Sequence, residues 1–431
     1  MHASIRHFPW AGPALLCTLL GSGGLAWALP GSGPANGQSA GASAAAAAPG
    51  TAAAPAAPAA PAAPAAPAAP AAPGTADAPL VVRIAHAGPV SGPIASLGKD
   101  EENGVRMALD DLNAKGLEIG GRKLRWKLEA GDDGGDPGQA VALARRLCDK
   151  KVAAVVGHLQ SGTTLPATSI YHDCGIVMVT PAASNPAITQ AGYDTTYRVI
   201  ADDRAMVDAL VAHAVGKLGV KRAAIIDDRS AYGQGIVALF EAEAREQGIE
   251  IVDKQFTGDK ATDFVPILTA IKGKKPDAIF FGGLDAQAGP MLRQMAQLAM
   301  DKVRLLGGDG LCTLRLPELA GNTSPLRNVT CAVGGSPLER MPGGAAWKQR
   351  YDQRFPDQYQ VFSPYAYDAT MVLAQAMVRA DSIRPDAYIP YLRQTRHDGV
   401  TAPIAFTPQG ELQAPVVTLY HYAQGVRKPL P

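Results

Sequence analysis

Four short stretches concentrate the side chains that could do chemistry. Residues 158–164 (HLQSGTT) follow an apolar run with the hydroxyls of Ser161, Thr163 and Thr164. Residues 180–184 (TPAAS) close another run with Ala182, Ser184 and free backbone groups. Residues 230–235 (SAYGQG) put Tyr232 at a helix start, and residues 307–310 (GGDG) put Asp309 in a glycine-rich turn. Hydroxyls beside the N–H groups of a helix start suit an anion. A lone carboxylate suits a cation. The set fits a zwitterion held between two structural units. Each residue also has a plain reading: Ser161 as a helix cap, Asp309 as a turn residue, Tyr232 as packing.

The elements that must position these stretches alternate strand and helix. A buried strand at 80–87 leads through a turn at 88–93 to an amphipathic helix at 98–115, with Val105, Ala108, Leu109 and Leu112 on one face. Strand 124–130, helix 138–149 opened by Pro137, strand 153–157, helix 166–173 and strand 176–180 follow. That order predicts a parallel sheet with helices on both faces. The pattern restarts after Arg204: a helix to 218, strand 223–227, helix 233–247, strand 249–256, helix 264–272, strand 278–282, helix 288–299 and strand 304–307. A long helix at 368–380, a helical piece at 388–396 and closing strands at 404–406 and 416–421 complete it. The fold class is α/β, two successive doubly wound units. In such sheets ligands bind beyond the carboxyl ends of the strands, where the four stretches lie.

Composition narrows the partners. Forty Lys+Arg against 39 Asp+Glu leave a formal net charge of +1, with no basic stripe of the kind that neutralises phosphates, so nucleic acid is not expected. Residues 1–28 read as a cleaved export signal: Arg6 and His7, an apolar stretch from Trp10, and an A-x-A site at 26–28. Residues 29–79 read as a disordered linker, with proline at every third position from Pro55 to Pro73. Export places Cys148, Cys174, Cys312 and Cys331 in an oxidising compartment, where an even number suggests disulfides and three connectivities are possible. No C-x-x-C pair points to a metal, and no cofactor is expected.

Residues 157–186 (GHLQSGTTLPATSIYHDCGIVMVTPAASNP) resemble the Leu/Ile/Val-binding periplasmic proteins, the type I substrate-binding components of ABC importers for branched-chain amino acids. Residues 88–116, 132–147, 231–235, 280–283 and 307–310 carry the same resemblance, which spans essentially all of 80–425. It implies a type I periplasmic binding protein fold, two lobes joined by three hinge crossovers. Lobe one would be 80–201 plus 334–402, and lobe two 202–333 plus 403–431.

Carried over position by position, the resemblance puts a ligand's α-carboxylate at Ser161 and Ser184. Its α-ammonium falls at the Ala182 carbonyl, Ser184 and Asp309, with Tyr232 as a cover from lobe two. The family usually has Glu at the Asp309 position. Leu97, Leu284 and Phe362 would wall the ligand's side chain, although leucine-binding members often carry an aromatic residue at the first two positions. The family's frequent first-lobe disulfide is absent, because Gly135 and Gln160 stand at both cysteine positions.

The implied function is capture of an amino acid, neutral and aliphatic, by a monomeric periplasmic protein that delivers it to an ABC permease. The alternative is an amide/urea-type binder or a sensor of the same fold, and Asp309 weighs against the amide class. From residue 80 on, no G-x-S-x-G elbow, H-E-x-x-H pair or Walker-type glycine loop occurs. His158, the best general-base candidate, reads as a structural histidine; Glu101 and Glu102 read as solvated helix residues. Chain topology favours the pairs Cys312–Cys331, joined through a short helical piece, and Cys148–Cys174, at the ends of successive crossover helices.

Overall fold

In the computed structural model, residues 78–321 and 323–431 are described; the expected export signal and nearly all of the expected linker lie outside them. Strand β1 (Leu80–Gly88) is buried on both faces from Ile84 onward. A strand of that kind belongs in the middle of a parallel sheet. It lies there, between β3 (Arg122–Asp132) and β4 (Ala154–Gly157). With β2 (Glu118–Ile119), β5 (Met178–Thr180) and β6 (Thr196–Arg198), the first sheet runs β2-β3-β1-β4-β5-β6.

The second sheet is built from β7 (Arg222–Asp227), β8 (Glu250–Phe256), β9 (Ala278–Gly282), β10 (Arg304–Gly307) and β11 (Val329–Gly334). After a small pair, β12 (His397–Asp398) with β13 (Pro403–Ile404), the strands β14 (Val417–Ala423) and β15 (Val426–Pro429) join it antiparallel. Its order is β15-β14-β11-β10-β9-β7-β8.

Each sheet carries apolar clusters on both faces. In the first lobe, helices Ala95–Ala114 and Ser363–Arg379 supply one face, and Pro137–Asp149 with Ser161–Asp173 the other. Gly104 lets the first two approach closely, since a Cβ there would sit 2.1 Å from the Ser363 carbonyl oxygen. In the second lobe, Asp203–Gly216 and Ala231–Glu246 oppose Val265–Gly273 and Asp285–Gln297 across the sheet. Among the described residues, no helix is long and apolar enough to cross a membrane.

The chain passes between lobes after β6, after β11 and before β14. The three crossovers lie together. Gly335 N donates to Val416 O (2.6 Å), and a Cβ at Gly334 would meet the Ile200 side chain. Two disulfides brace the lobes: Cys148–Cys174, with Cα atoms 6.0 Å apart, and Cys312–Cys331, 5.6 Å apart.

Some elements differ from the sequence expectation. The helix expected from Pro166 begins at Ser161 with Pro166 inside it, and the one expected from Asp368 begins at Ser363. Helix Gly344–Arg354 was not expected; Trp347 and Tyr351, one turn apart, are its only large buried side chains, too sparse for a periodic signal. The expected closing strand at 404–406 shrinks to β13. Ile404 and Phe406 pack into the first lobe's core, the Phe406 ring 5.0 Å from that of Tyr197. The boundary expected at 402/403 therefore falls early: the chain joins the second sheet only at β14.

Candidate functional site

On the first lobe, two loops at the carboxyl ends of β4 and β5 are sewn together by Thr180. Its Oγ1 donates to His158 O (2.9 Å) and accepts from Ala182 N (3.3 Å) and Ala183 N (2.9 Å). Ser161 is the first helical residue, and Gln160 takes the cap position without a side-chain cap bond. The Ser161 hydroxyl is thus not a helix cap; it accepts from Asn185 N at 3.3 Å. Ser161, Ala182 and Ser184 are all buried.

On the second lobe, Ser230 caps helix Ala231–Glu246 through Gly233 N (2.9 Å), and Tyr232 sits in the first turn. The Tyr232 hydroxyl donates to Asp309 Oδ1 (3.0 Å) and accepts from Gly310 N (3.1 Å), which locks the turn after β10. Burial pushes the Asp309 carboxyl up to about 6, although Tyr232 and the Gly310 N–H pull the other way. The lobes touch here: Asn185 Nδ2 donates to Ala231 O at 2.9 Å.

Sequence reasoning missed Asp203, the first residue of its helix. It is fully buried, and its carboxyl is pushed well above the usual range, first by burial and then by the Asp309 charge. Neither oxygen reaches a hydrogen-bond partner at full geometry; the Ser184 hydroxyl and the Arg198 charge offset the burial only in part. A signal existed. Asp202 and Asp203 are adjacent acids at a helix start, where one suffices: Asp202 does the capping, through Ala205 N at 2.9 Å. The backbone N–H of Asp203 donates to Ser184 O (2.8 Å), so it joins the Ser184 loop.

The structure thus links Ser161, Ser184, Asp203, Tyr232 and Asp309 into one polar set across the lobes, with Ala182 in the same loop. Of the expected wall, Leu284 meets this set. It packs against apolar clusters of both lobes and bounds, with Tyr232, the space beside Gly310. Phe362 belongs to the first lobe's core, and Leu97 lies partly buried against it.

His158 is fully buried, with Nδ1 2.7 Å from Asp133 Oδ2 and Nε2 3.0 Å from the Tyr171 hydroxyl, a structural placement. Glu101 and Glu102 are not solvated. Each lies 3.7 Å from a nitrogen of buried His86, because the first turns of their helix sit over the end of β1. Burial raises the Glu101 carboxyl, with His86 opposing.

A family model described as "Periplasmic binding protein" matches residues 81–422. The chain belongs to that family. An "Amino acid binding protein" of Pseudomonas aeruginosa is 32% identical over 346 residues, 79% of this chain and 90% of the relative. A "Leucine-, isoleucine-, valine-, threonine-, and alanine-binding protein" of the same organism is 30% identical over 343 residues, again 79% and 90%. The solved leucine binding protein of Thermotoga maritima superposes with a TM-score of 0.74 at 25% identity, covering 81% of this chain and 98% of that one. The fold is the type I periplasmic binding protein fold expected from the sequence, and the relatives described above are amino-acid-binding proteins.

Proposed function

We propose that the cleft captures a neutral aliphatic L-amino acid and that the protein, a monomer in the periplasm, delivers it to an ABC permease without chemical change. The Ser161 and Ser184 hydroxyls and the N–H groups at the start of helix Ser161–Asp173 receive the α-carboxylate. The Ala182 carbonyl, Asp203 and Asp309 receive the α-ammonium, and Tyr232 closes over the ligand. Leu97, Leu284 and Phe362 form an apolar wall for its side chain.

One observation carries this reading. Asp203 is buried with no hydrogen-bond partner at full geometry and feels the charge of Asp309, opposite a hydroxyl-rich loop. Two like charges in a poorly solvated site are costly unless a cation joins them. An α-ammonium supplies that cation, and the amide/urea alternative does not. Because the polar set is divided between lobes, full contact requires closure, and ligand should shift an open–closed equilibrium.

A thermal-shift screen of the twenty amino acids, together with short-chain amides, urea and aromatic acids, tests the reading. A ligand that binds only the folded state raises the melting temperature. Leucine, isoleucine or valine is expected to give the largest rise. A rise with amides or aromatic acids alone would refute it.

A further inference from the structure

The contacts assigned to the ligand do not use the guanidinium of Arg198, although its charge offsets part of the burial of Asp203. Arg198 ends β6, just before the first crossover, and is fully buried. A buried arginine gives no packing advantage over a hydrophobe of similar size. Its distinctive property is a planar fork of donors. Here every nitrogen of that fork is used. Nη1 donates to the carbonyls of Ala183 (2.8 Å) and Asn185 (3.0 Å), which flank Ser184. Nε donates to Glu411 Oε2 (2.9 Å), and Nη2 to Glu411 Oε1 and Thr189 Oγ1.

Glu411 is held as firmly. It closes a turn in which Thr407 N donates to Glu411 O (2.7 Å) and Gly410 N to Thr407 O (3.0 Å). Gly410 has φ +85°, and a Cβ there would lie 2.3 Å from Thr196 O, so only glycine lets the turn lie flat on β6. Arg198 N donates to Gly410 O (2.9 Å). This turn is the last part of the first lobe before the third crossover.

We propose that Arg198 and Glu411 are a positioning pair that fixes the 182–185 loop in its ligand-receiving shape. The pair also ties that loop to the first-lobe ends of the first and third crossovers. Neither residue touches the ligand; both act through the loop. What the loop receives rests on the function proposed above, whereas the tie itself rests on geometry alone. Any movement of the loop on ligand entry is thereby passed to two of the three strands that must bend for closure.

Hydrogen exchange by mass spectrometry on the full chain tests the pair without a ligand. In Glu411→Gln, exchange across 182–185 and 407–413 should rise by roughly tenfold or more, with β1, β4 and the second sheet unchanged. Arg198→Lys should do the same, because an ammonium cannot span two carbonyls and a carboxylate. Glu411→Asp, which keeps the charge, should recover part of the protection. Leucine titrated calorimetrically into the same proteins should bind about tenfold more weakly in Glu411→Gln. Unchanged loop exchange in a folded variant, or an even rise over the whole lobe, would overturn the proposal. Should Arg198→Lys fail to fold, Glu411→Gln decides alone. If the wild type binds no amino acid, the proposed ligand falls while the exchange pattern still decides the pair.

Discussion

Two buried acids show opposite solutions to the same problem. Asp100 collects the backbone N–H groups of Gln360 (3.1 Å), Val361 (3.0 Å), Phe362 (2.8 Å) and Ser363 (3.0 Å), the Ser363 hydroxyl (2.6 Å) and the Tyr351 hydroxyl (2.9 Å). Asp203, also fully buried, has no such shell and shares its surroundings with the Asp309 charge. Fully coordinated, Asp100 pins a loop and starts helix Ser363–Arg379. Without such a shell, Asp203 keeps acceptor capacity for something that arrives, beside an Asp309 held by Tyr232 and the backbone of its own turn. The contrast separates a carboxylate that serves the fold from carboxylates that serve a ligand.

That contrast breaks if substitutions in the two regions behave alike. Asp100→Asn turns acceptors into donors facing donors and should cost about 4 kcal/mol of stability, read as a lower denaturant midpoint. Asp309→Asn should leave the midpoint of the ligand-free protein unchanged or higher. It should weaken amino-acid binding by roughly 100-fold, because the ammonium loses a desolvated counter-charge. Unchanged affinity there would show that the ammonium sits elsewhere.

Acid sharpens the same comparison. With the Asp309 carboxyl held up at about 6, an ammonium must displace its proton below that pH. Affinity should fall about tenfold per pH unit from 6 downward in calorimetric titrations. The ligand-free protein moves in the opposite sense. A raised carboxyl favours the folded state below its unfolded value of 3.8, and that stabilisation is lost as pH rises through about 6. Asp309→Asn should flatten both trends. The smallest effect is expected for Ser161→Ala, about fivefold in affinity, since backbone donors share the carboxylate.

Much of the fold and part of the site were readable in the sequence; the contrast between Asp100 and Asp203 was not. The strand–helix alternation, the two lobes and the loops around Ser161, Ser184, Tyr232 and Asp309 were legible because apolar periodicity and strand-end motifs are local. Asp203 was not, because its neighbour Asp202 gives the same letter a capping role and only the fold tells which acid turns inward. Glu101 looked solvated because charge in a helix is usually outward, and only the fold shows that the helix lays it over His86 on the preceding strand. Phe406 and Glu411 read as lobe two because nothing local announces Tyr197 and Arg198 as their partners.

The central claim is that Asp203 and Asp309 are kept for an α-ammonium. Calorimetric titration of one preparation with leucine and with 4-methylpentanoate, the same molecule without its amine, tests it most directly. Leucine should bind, and 4-methylpentanoate should bind at least about 100-fold more weakly, since the two carboxylates would be left unpaired beside an anion. Equal affinities for the two ligands would contradict the account.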